Sequence, residues 1–288
     1  TADMLKGIDA VVALAAISND PMGDLDPALT HKINTAGVMH CAEMAKSAGV
    51  PRFLFASSCS VYGAQGDTIL DESAAFAPVS AYAESKINTE AELQKIGDEN
   101  FAVTSLRNST AYGQSPRLRT DLAVNNLLAY AVSIDEVKLM SDGTSWRPLA
   151  HCRDIARAFC ALSEAPIEDV RGLAVNIGGN VENYQIRDVA KIVHEQCAGS
   201  QITIATEAAN DPRDYRVSFD LLGKVLPNFE LEWNVAKAVK VMFAEYNARE
   251  NFKAEFEGGR YTRLVTLQGR LAKGDLPHYF TELSGTQN

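Results

Sequence analysis

A tyrosine and a lysine four residues apart, Tyr82 and Lys86, have the types and spacing best suited to proton transfer in this sequence. On a helix, residues four apart lie on one face, so the ammonium and the phenol come within reach of each other. A nearby ammonium favours the phenolate and lowers the tyrosine pKa from about 10, which permits proton exchange near neutral pH. We therefore expect Tyr82 to act as an acid/base. The alternative is an ordinary solvated helix face.

A serine-rich segment, residues 57–63, directly follows a predicted strand over Arg52–Ala56. In open parallel sheets, ligands bind outside the carboxyl ends of the strands, so these hydroxyls should face a ligand crevice. A serine at this place can hydrogen-bond the same substrate oxygen that Tyr82 reaches. With Lys86, the two hydroxyls would hold a hydroxyl or carbonyl carbon ready for hydride transfer.

Short apolar runs alternate with helical patterns along the first half of the chain. Ile8–Leu14 and Arg52–Ala56 are continuous rather than alternating, which is typical of parallel strands covered on both faces. Apolar residues recur every three or four positions between them, which predicts a helix. A helix over Tyr82–Gln94 and a strand over Phe101–Leu106 repeat the unit. This repetition predicts an α/β fold with a doubly wound, parallel, Rossmann-like sheet.

After about Gly113 the alternation loosens, which indicates a smaller mixed α/β region over the carboxyl edge of the sheet. We expect residues 1–113 to form the cofactor-binding part with the catalytic helix. Residues 114–288 should form mainly the substrate region, with some segments returning to the main sheet. The elements predicted there are helices over Asp121–Val132, Ile155–Leu162 and Val235–Tyr246, strands over Val137–Met140, Trp146–His151 and Leu173–Ile177, and a last helix after Glu257.

Composition excludes several classes of protein. The chain has 288 residues, is 46% hydrophobic and carries a formal charge of −10, so it is neither disordered nor fibrous, and neither nucleic acid nor an anionic membrane is an expected partner. The longest apolar run, Ile8–Ile17, has about half the length of a bilayer crossing. Five cysteines without metal-ligand spacing favour a reducing compartment and no structural metal. We expect a cytoplasmic protein.

These motifs resemble those of the extended short-chain dehydrogenase/reductase family, in particular its nucleotide-sugar epimerases, dehydratases and reductases. Ser58 and the Tyr82/Lys86 pair match the catalytic residues of that family, and the resemblance covers nearly the whole chain. Residues 8–16 look like its strand that ends in His-Leu-Ala-Ala, with Ala13 in place of the histidine. Further matches are Asn34 with Gly37, Glu72 with Pro78, Leu106 to Gly113, Asp142 to Asp154, and Asn176 to Gly179.

The resemblance implies that Tyr82 is the general acid/base, that Ser58 assists it, and that Lys86 orients the nicotinamide ribose and lowers the Tyr82 pKa. It implies NAD or NADP as cofactor, with NAD favoured, and a nucleotide-diphosphate sugar as substrate. The residues that it implies for cofactor binding are Leu14, Ala15, Ala16, Asn34, Ser57, Tyr82, Lys86 and Arg107. Those that it implies for substrate binding are Ser58, Asn108, Ser109, Thr110, Arg117, Arg119, Asn125, Arg147 and Arg213, the last within the segment 211–215.

Arginine is suited to a diphosphate because its guanidinium offers fixed bidentate donors. For Arg147 the alternative is a surface ion pair with Asp142 or Asp154. Arg117, Arg119 and Asn125 are equally well explained as solvated turn and helix positions.

Departures from the family pattern narrow the reaction. In the sugar 4,6-dehydratases an Asp-Glu pair follows the catalytic Ser/Thr, whereas Cys59 and Ser60 stand there in this sequence. Elimination of water by that route is therefore unsupported. Cys59 is a further acid/base candidate, and its alternative is a small buried packing residue. The leading hypothesis for the function is epimerisation through a transient keto intermediate. The alternatives are 4-keto-sugar reduction, dehydration, and nucleotide-sugar binding without catalysis.

The family's first strand and Gly-rich turn have no counterpart near the start of this sequence. The first recognisable element corresponds to the fourth strand of the family, so we expect that roughly sixty residues precede it in the intact protein. The alternative is a variant that lost cofactor binding. The resemblance also implies a homodimer through the helix after Leu29 and the helix that bears Tyr82, although core packing explains the same apolar residues.

Overall fold

The computed structural model describes residues 2–205 and 213–274. In chain order its strands are β1 (Val11–Ala13), β2 (Arg52–Ser58), β3 (Ala64–Leu70), β4 (Ala102–Asn108), β5 (Thr110–Tyr112), β6 (Glu136–Leu139), β7 (Trp146–His151), β8 (Leu173–Ile177), β9 (Asn183–Gln185), β10 (Gln201–Ile204) and β11 (Asp214–Val217).

The α-helices of the same residues, in chain order, are α1 (Asp20–Gly23), α2 (Pro27–His31), α3 (Val38–Ser47), α4 (Ala81–Ile96), α5 (Ala123–Ile134), α6 (Cys152–Glu164), α7 (Ile167–Val170), α8 (Ile186–Gln196), α9 (Asp220–Val225), α10 (Val235–Ala248), α11 (Phe252–Glu257) and α12 (Arg263–Lys273). A π-helical stretch, Lys32–Gly37, joins α2 to α3, and short 3₁₀ turns cover Ala2–Leu5, Cys59–Tyr62 and Asn180–Glu182.

The main sheet has four parallel strands in the order β1-β2-β4-β8. Successive side chains of a strand point to opposite faces, and β2 follows this rule. Phe53 and Phe55 pack with residues of α3 and α4, whereas Leu54 packs on the other face with residues of α6 and α9. Helices therefore cover both faces of the sheet. The predicted doubly wound parallel arrangement is confirmed.

The second half of the chain builds a separate apolar core from α5, α8 and α10 with β6 and β7. Asn234 caps α10 as its sequence position suggests, because its side chain accepts a 2.9 Å hydrogen bond from the backbone amide of Lys237. Shorter strand groups accompany this core: β5-β7-β9, the parallel pair β6 and β10, and the parallel pair β3 and β11. β8, from this half of the chain, pairs with β4 in the main sheet.

Some elements differ from the sequence expectation. The first strand is shorter than Ile8–Leu14, since a 3₁₀ turn and Gly7 at φ +76° precede it. Strand β3 was not predicted, because its polar residues mask any apolar alternation. The helix predicted after Glu257 is α12, which begins only at Arg263, and the short helix α11, which ends at Glu257, was not predicted. The residues from 275 onward lie outside the described part of the chain. Within residues 2–205 and 213–274, no helix has the length and apolar character needed to cross a membrane.

Candidate active site

Ser58, Tyr82 and Lys86 line one cavity of about 260 Å³ at the carboxyl edge of the main sheet. Ser58 is the last residue of β2, and Tyr82 and Lys86 lie in the first turns of α4. Ser80 fixes the start of this helix, because its hydroxyl accepts a 3.1 Å hydrogen bond from the backbone amide of Ala83. The strand end and the capped helix thus bring the three predicted catalytic side chains together.

The Tyr82 hydroxyl faces the side chain of Ser58. Burial of the hydroxyl raises the pKa of Tyr82 to about 12, and the negative charge of Asp20 adds to that rise. The Ser58 side chain, which favours the phenolate, and the positive charge of Arg119 oppose it. The sequence predicted that Lys86 would lower this pKa below its ordinary value. In the chain by itself that prediction is wrong, because desolvation outweighs the nearby cations.

Lys86 is buried beneath the cavity, with 3% of its surface exposed. Its ammonium donates a 2.6 Å hydrogen bond to the carbonyl oxygen of Ala56 and lies 5.5 Å from the ring centroid of Tyr82. Burial lowers the pKa of Lys86 to about 8, against the opposing charge of Glu90. The lysine is therefore close to its titration point near neutral pH.

Three buried polar atoms of the cavity residues have no hydrogen-bond partner: Ser60 Oγ, Asn108 Oδ1 and Ser109 Oγ. Burying a polar atom without a hydrogen bond costs free energy unless a ligand supplies the bond, so the cavity is suited to a polar ligand. Leu14 and Ala16, which follow β1, add an apolar wall. Polar donors and acceptors beside an apolar wall and a buried lysine fit the nicotinamide and ribose end of a dinucleotide.

A buried ionic network supports the serine segment from below. The Ser57 hydroxyl donates to the Glu90 carboxylate, which also accepts a 2.8 Å bond from Arg107. Arg107 donates further to the Tyr62 hydroxyl at 3.0 Å and to the backbone oxygen of Glu72 at 3.1 Å. The sequence predicted Arg107 as a cofactor ligand. The structure places its guanidinium in this network, away from the cavity, while Ser57 lines the cavity with its hydroxyl bound to Glu90.

Asn34 and Cys59 also lie outside the cavity lining. The fully buried Asn34 side chain bonds both backbone polar groups of Ile17 and the hydroxyl of Ser85, so it ties the loop after β1 to α4. Cys59 is fully buried, its thiol donates to the Arg107 carbonyl, and burial raises its pKa far above the usual range. A thiol that stays protonated outside the cavity is a packing residue, so the acid/base interpretation of Cys59 is wrong. Ala15 is exposed and lies beside the lining residues Leu14 and Ala16.

Sequence reasoning missed Asp20, the only carboxylate that lines this cavity among the described residues. Its two oxygens accept from the Ser80 hydroxyl and, at 2.7 Å, from Arg213. Tyr215, buried on β11, was missed as well. The available signal for Asp20 was its place in the loop that follows β1, at the same sheet edge as Ser58.

A second cavity of about 280 Å³ continues the first, because Asn19, Thr110, Arg119, Leu122 and Arg213 line both. Its far side is lined by further cationic and polar residues, which include Lys138, Ser141 and Arg147. The two cavities together form an elongated cleft. Ser58, Tyr82 and Lys86 lie at one end, Lys138 and Arg147 lie at the other, and Arg119 and Arg213 line both cavities.

Arg147 is 3% exposed and donates to the backbone oxygens of Trp146 and Arg213. The surface ion-pair alternative is wrong, since Asp142 bonds Thr144 and Asp154 pairs with Arg157. Residues 211 and 212, which belong to the Arg213 motif, lie outside the described part of the chain.

The remaining predicted substrate residues divide between this cleft and other places. Asn108, Ser109, Thr110 and Arg119 line it. Asn125 is buried and bonds the amide and carbonyl of Gly113, so it holds the loop after β5. Arg117 lines a different cavity, outside the cleft.

The model of the NAD dependent epimerase/dehydratase family matches residues 1–178, which contain the whole Ser58, Tyr82 and Lys86 arrangement. The chain belongs to this family. The match ends one residue after β8, so it covers all four strands of the main sheet.

Two curated relatives have names that describe UDP-sugar epimerases. The chain is 27% identical over 208 residues to a Bacillus subtilis (strain 168) protein named uncharacterized UDP-glucose epimerase YtcB, covering 70% of this chain and 63% of the relative. It is 25% identical over 189 residues to the UDP-glucuronate 4-epimerase of Thermodesulfobacterium geofontis (strain OPF15), covering 65% of this chain and 56% of the relative. The chain thus spans about three fifths of the length of these curated relatives.

Among solved structures, the chain resembles MoeE5 in complex with UDP-glucuronic acid and NAD. The TM-score is 0.74 at 25% sequence identity, and the match covers 85% of this chain and 82% of that chain.

Proposed function

We propose that this chain carries the catalytic residues of an NAD-dependent epimerase that inverts a hydroxyl-bearing carbon of a UDP-sugar, at C4 of a hexose or hexuronate. The observation that carries the proposal is the elongated cleft with Ser58, Tyr82 and Lys86 at one end, Arg213 lining both of its cavities, and Arg147 at the other end. The names of the relatives, a UDP-glucose epimerase and a UDP-glucuronate 4-epimerase, support the nucleotide and the reaction class.

The reacting sugar hydroxyl would exchange its proton with Tyr82, while Ser58 hydrogen-bonds the same oxygen. The Lys86 ammonium, 5.5 Å from the centroid of the Tyr82 ring, would stabilise the negative charge that develops on the Tyr82 oxygen during proton transfer. When bound, NAD supplies a hydride acceptor that later returns the hydride to the opposite face of the sugar. Partly unsatisfied Asn108 and Ser109 offer hydrogen bonds to the sugar hydroxyls.

The diphosphate would lie along the arginine end of the cleft. Arg147 and Arg213 come from β7 and from the residue before β11, and Arg147 fixes the Arg213 backbone by donating to its carbonyl. Lys138, on β6, adds positive charge farther from Tyr82. The net charge of the chain, −10, does not exclude diphosphate binding, because the charges close to the phosphates decide the affinity.

Dehydration is less well supported, because it needs an acid and a base besides the tyrosine. Among the described residues, Asp20 is the one carboxylate that lines the cavity with Tyr82, and Ser80 and Arg213 occupy both of its oxygens. Asp121 lines the second cavity of the cleft and is paired with Arg119. A 4-keto-sugar reductase would use the same three residues in one direction. It would consume reduced cofactor, whereas an epimerase leaves the cofactor unchanged after each cycle.

The test is to incubate the full chain with NAD and UDP-glucose or UDP-glucuronate and to follow the C4 epimer by proton NMR. We expect epimer formation without net NADH. Tyr82→Phe should slow it about 100- to 10,000-fold. Tyr130→Phe is the matched control, because Tyr130 lines neither cavity of the cleft and the substitution keeps the ring that contacts Phe256 and Lys138. Binding of the nucleotide sugar without any turnover would favour the non-catalytic alternative.

We also propose a cytoplasmic, reducing environment, which the five free thiols support. A homodimer through α3 and α4 stays a prediction, and sedimentation velocity on the full chain would measure it.

A further inference from the structure

A third cavity, of about 540 Å³, lies outside the elongated cleft and is lined by five arginines: Arg117, Arg249, Arg260, Arg263 and Arg270. None of its lining residues lines the cleft. The loop after β5 supplies one wall, and the segment from the end of α10 through α12 supplies the other. Such a concentration of positive charge is unexpected in a chain with 37 acidic and 27 basic residues.

Two of these arginines are neutralised by carboxylates. Arg249 pairs with Glu245 at 2.6 Å, and Arg260 pairs with Glu255 at 2.5 Å. Glu255 is the one acidic residue of the lining and also accepts from the Tyr261 hydroxyl. The positive charge of these two arginines is therefore largely neutralised by glutamates of the protein itself.

Arg117 and Arg263 are different. Neither forms a salt bridge with a carboxylate within residues 2–205 and 213–274, and the buried Arg263 Nε has no hydrogen-bond partner. Burial lowers the pKa of Arg263, and the positive charges of Arg119 and Arg117 add to this effect, with Asp121 opposing it. Two guanidinium groups held together at a partly buried site create a positive potential and offer N–H donors, and both favour the binding of an anion.

The apolar part of the lining restricts the class of ligand. Met22, Leu118 and Leu267 line the same cavity. The volume lies in the range of small-molecule sites, which is larger than one inorganic ion needs. Planar guanidinium forks favour phosphate oxygens, which accept two parallel hydrogen bonds.

We propose that this arginine cavity is a second anion site that binds a small molecule bearing a diphosphate group, separate from the substrate cleft. Helix α12 stands between the two sites: Leu264 lines the cleft, and the adjacent Arg263 lines the arginine cavity. The diphosphate could belong to a nucleotide or be inorganic pyrophosphate. Both present the same group to Arg117 and Arg263.

The test is calorimetric titration of the full chain with inorganic pyrophosphate. Arg117→Gln and Arg263→Gln should each weaken binding about tenfold or more, since each removes hydrogen bonds to a charged group. Lys273→Gln is the matched control, because it removes one positive charge from the exposed end of α12 outside the cavity and should leave the affinity unchanged. Arg117 lies on an exposed loop, so its substitution tests the site without threatening the fold.

A second titration, with UDP on an Arg147→Gln chain, distinguishes the two sources of the group. UDP binding that Arg263→Gln weakens would assign a nucleotide ligand, and pyrophosphate binding alone would assign the inorganic anion. The proposal is overturned if pyrophosphate does not bind, if Arg117→Gln and Arg263→Gln leave its affinity unchanged, or if Lys273→Gln weakens it equally.

Discussion

The ammonium of Lys86 donates a 2.6 Å hydrogen bond to the carbonyl oxygen of Ala56, two residues before Ser58 on β2. This bond joins α4, which bears Tyr82, to β2, which ends at Ser58, beneath the cavity floor. It also explains why Lys86 does not hold Tyr82 as a phenolate in the chain by itself: the lysine is bound to the backbone, and burial lowers its own pKa to about 8.

Lys86→Met should change how stability depends on pH. Between the folded pKa of about 8 and the ordinary value of 10.5, the unfolded chain binds more protons than the folded chain, so unfolding free energy rises with pH. The cost of burying the charge is fully present below pH 8 and is lost towards pH 10.5. The rise amounts to about 3 kcal/mol.

Urea unfolding of the native and Lys86→Met chains across this pH window measures the effect as a difference, which removes the contributions of other groups. Lys95→Met, at the exposed end of α4, is the control and should run parallel to the native chain. A constant difference between native and Lys86→Met chains would contradict the prediction.

Tyr82 should remain protonated at a pH where exposed tyrosines ionise. Its pKa is raised to about 12 by burial, against about 10 for an ordinary tyrosine. Ring-labelled tyrosine NMR through the alkaline range, with Tyr82→Phe to assign the signal, measures this. Ser58→Ala should raise the pKa further, because it removes a hydrogen bond that favours the phenolate. Ionisation of Tyr82 together with the exposed tyrosines would show that the hydroxyl is not desolvated.

Glu90→Gln should destabilise the fold strongly. Glu90 and Arg107 are 8% and 6% exposed, and loss of one charge leaves the other buried without its counterion. We expect a loss of about 3 kcal/mol or more in unfolding free energy. Glu92→Gln, two residues along the same helix, removes an exposed pair with Lys95 and should cost under about 1 kcal/mol. Similar losses for both variants in urea unfolding would argue against a structural role for the buried pair.

The sequence was informative where local rules decide the structure. The four-residue spacing of Tyr82 and Lys86 requires only a helix, and the place of Ser58 requires only that a strand end at the sheet edge. Both conditions depend on nearby residues, so the three side chains could be predicted to meet.

Side-chain direction and long-range partners could not be read in this way. Arg107 lies on β4 beside the cleft, but its direction is decided by Glu90, which is 17 residues away on α4. The side chain of Asp20 in the cavity is bound by Arg213, which is 193 residues away in the sequence. No local pattern encodes contacts at such separations. The pKa of Tyr82 was misjudged for a related reason: burial depends on the whole fold, whereas the spacing reveals only one neighbour.

Acid should destabilise the protein through His151. This side chain is fully buried, stacks on Trp233 with ring centroids 4.3 Å apart, and accepts at Nδ1 from the backbone amide of Arg153. Burial lowers the pKa of His151 from 6.5 to about 4, against the charge of Asp154. Between these values the unfolded chain binds the extra proton, so unfolding free energy falls as the pH drops from 6.5 to 4. The loss is about 3 kcal/mol.

The measurement is urea unfolding at successive pH values for the native, His151→Gln and His40→Gln chains. His151→Gln lacks the titrating group, so its loss of stability on acidification should be smaller than that of the native chain by this amount, whatever its stability at neutral pH. His40 is exposed on α3, and its replacement should leave the acid slope as it is in the native chain. Equal slopes for all three chains would contradict the prediction, because they would mean that His151 binds its proton equally well in the folded and the unfolded chain.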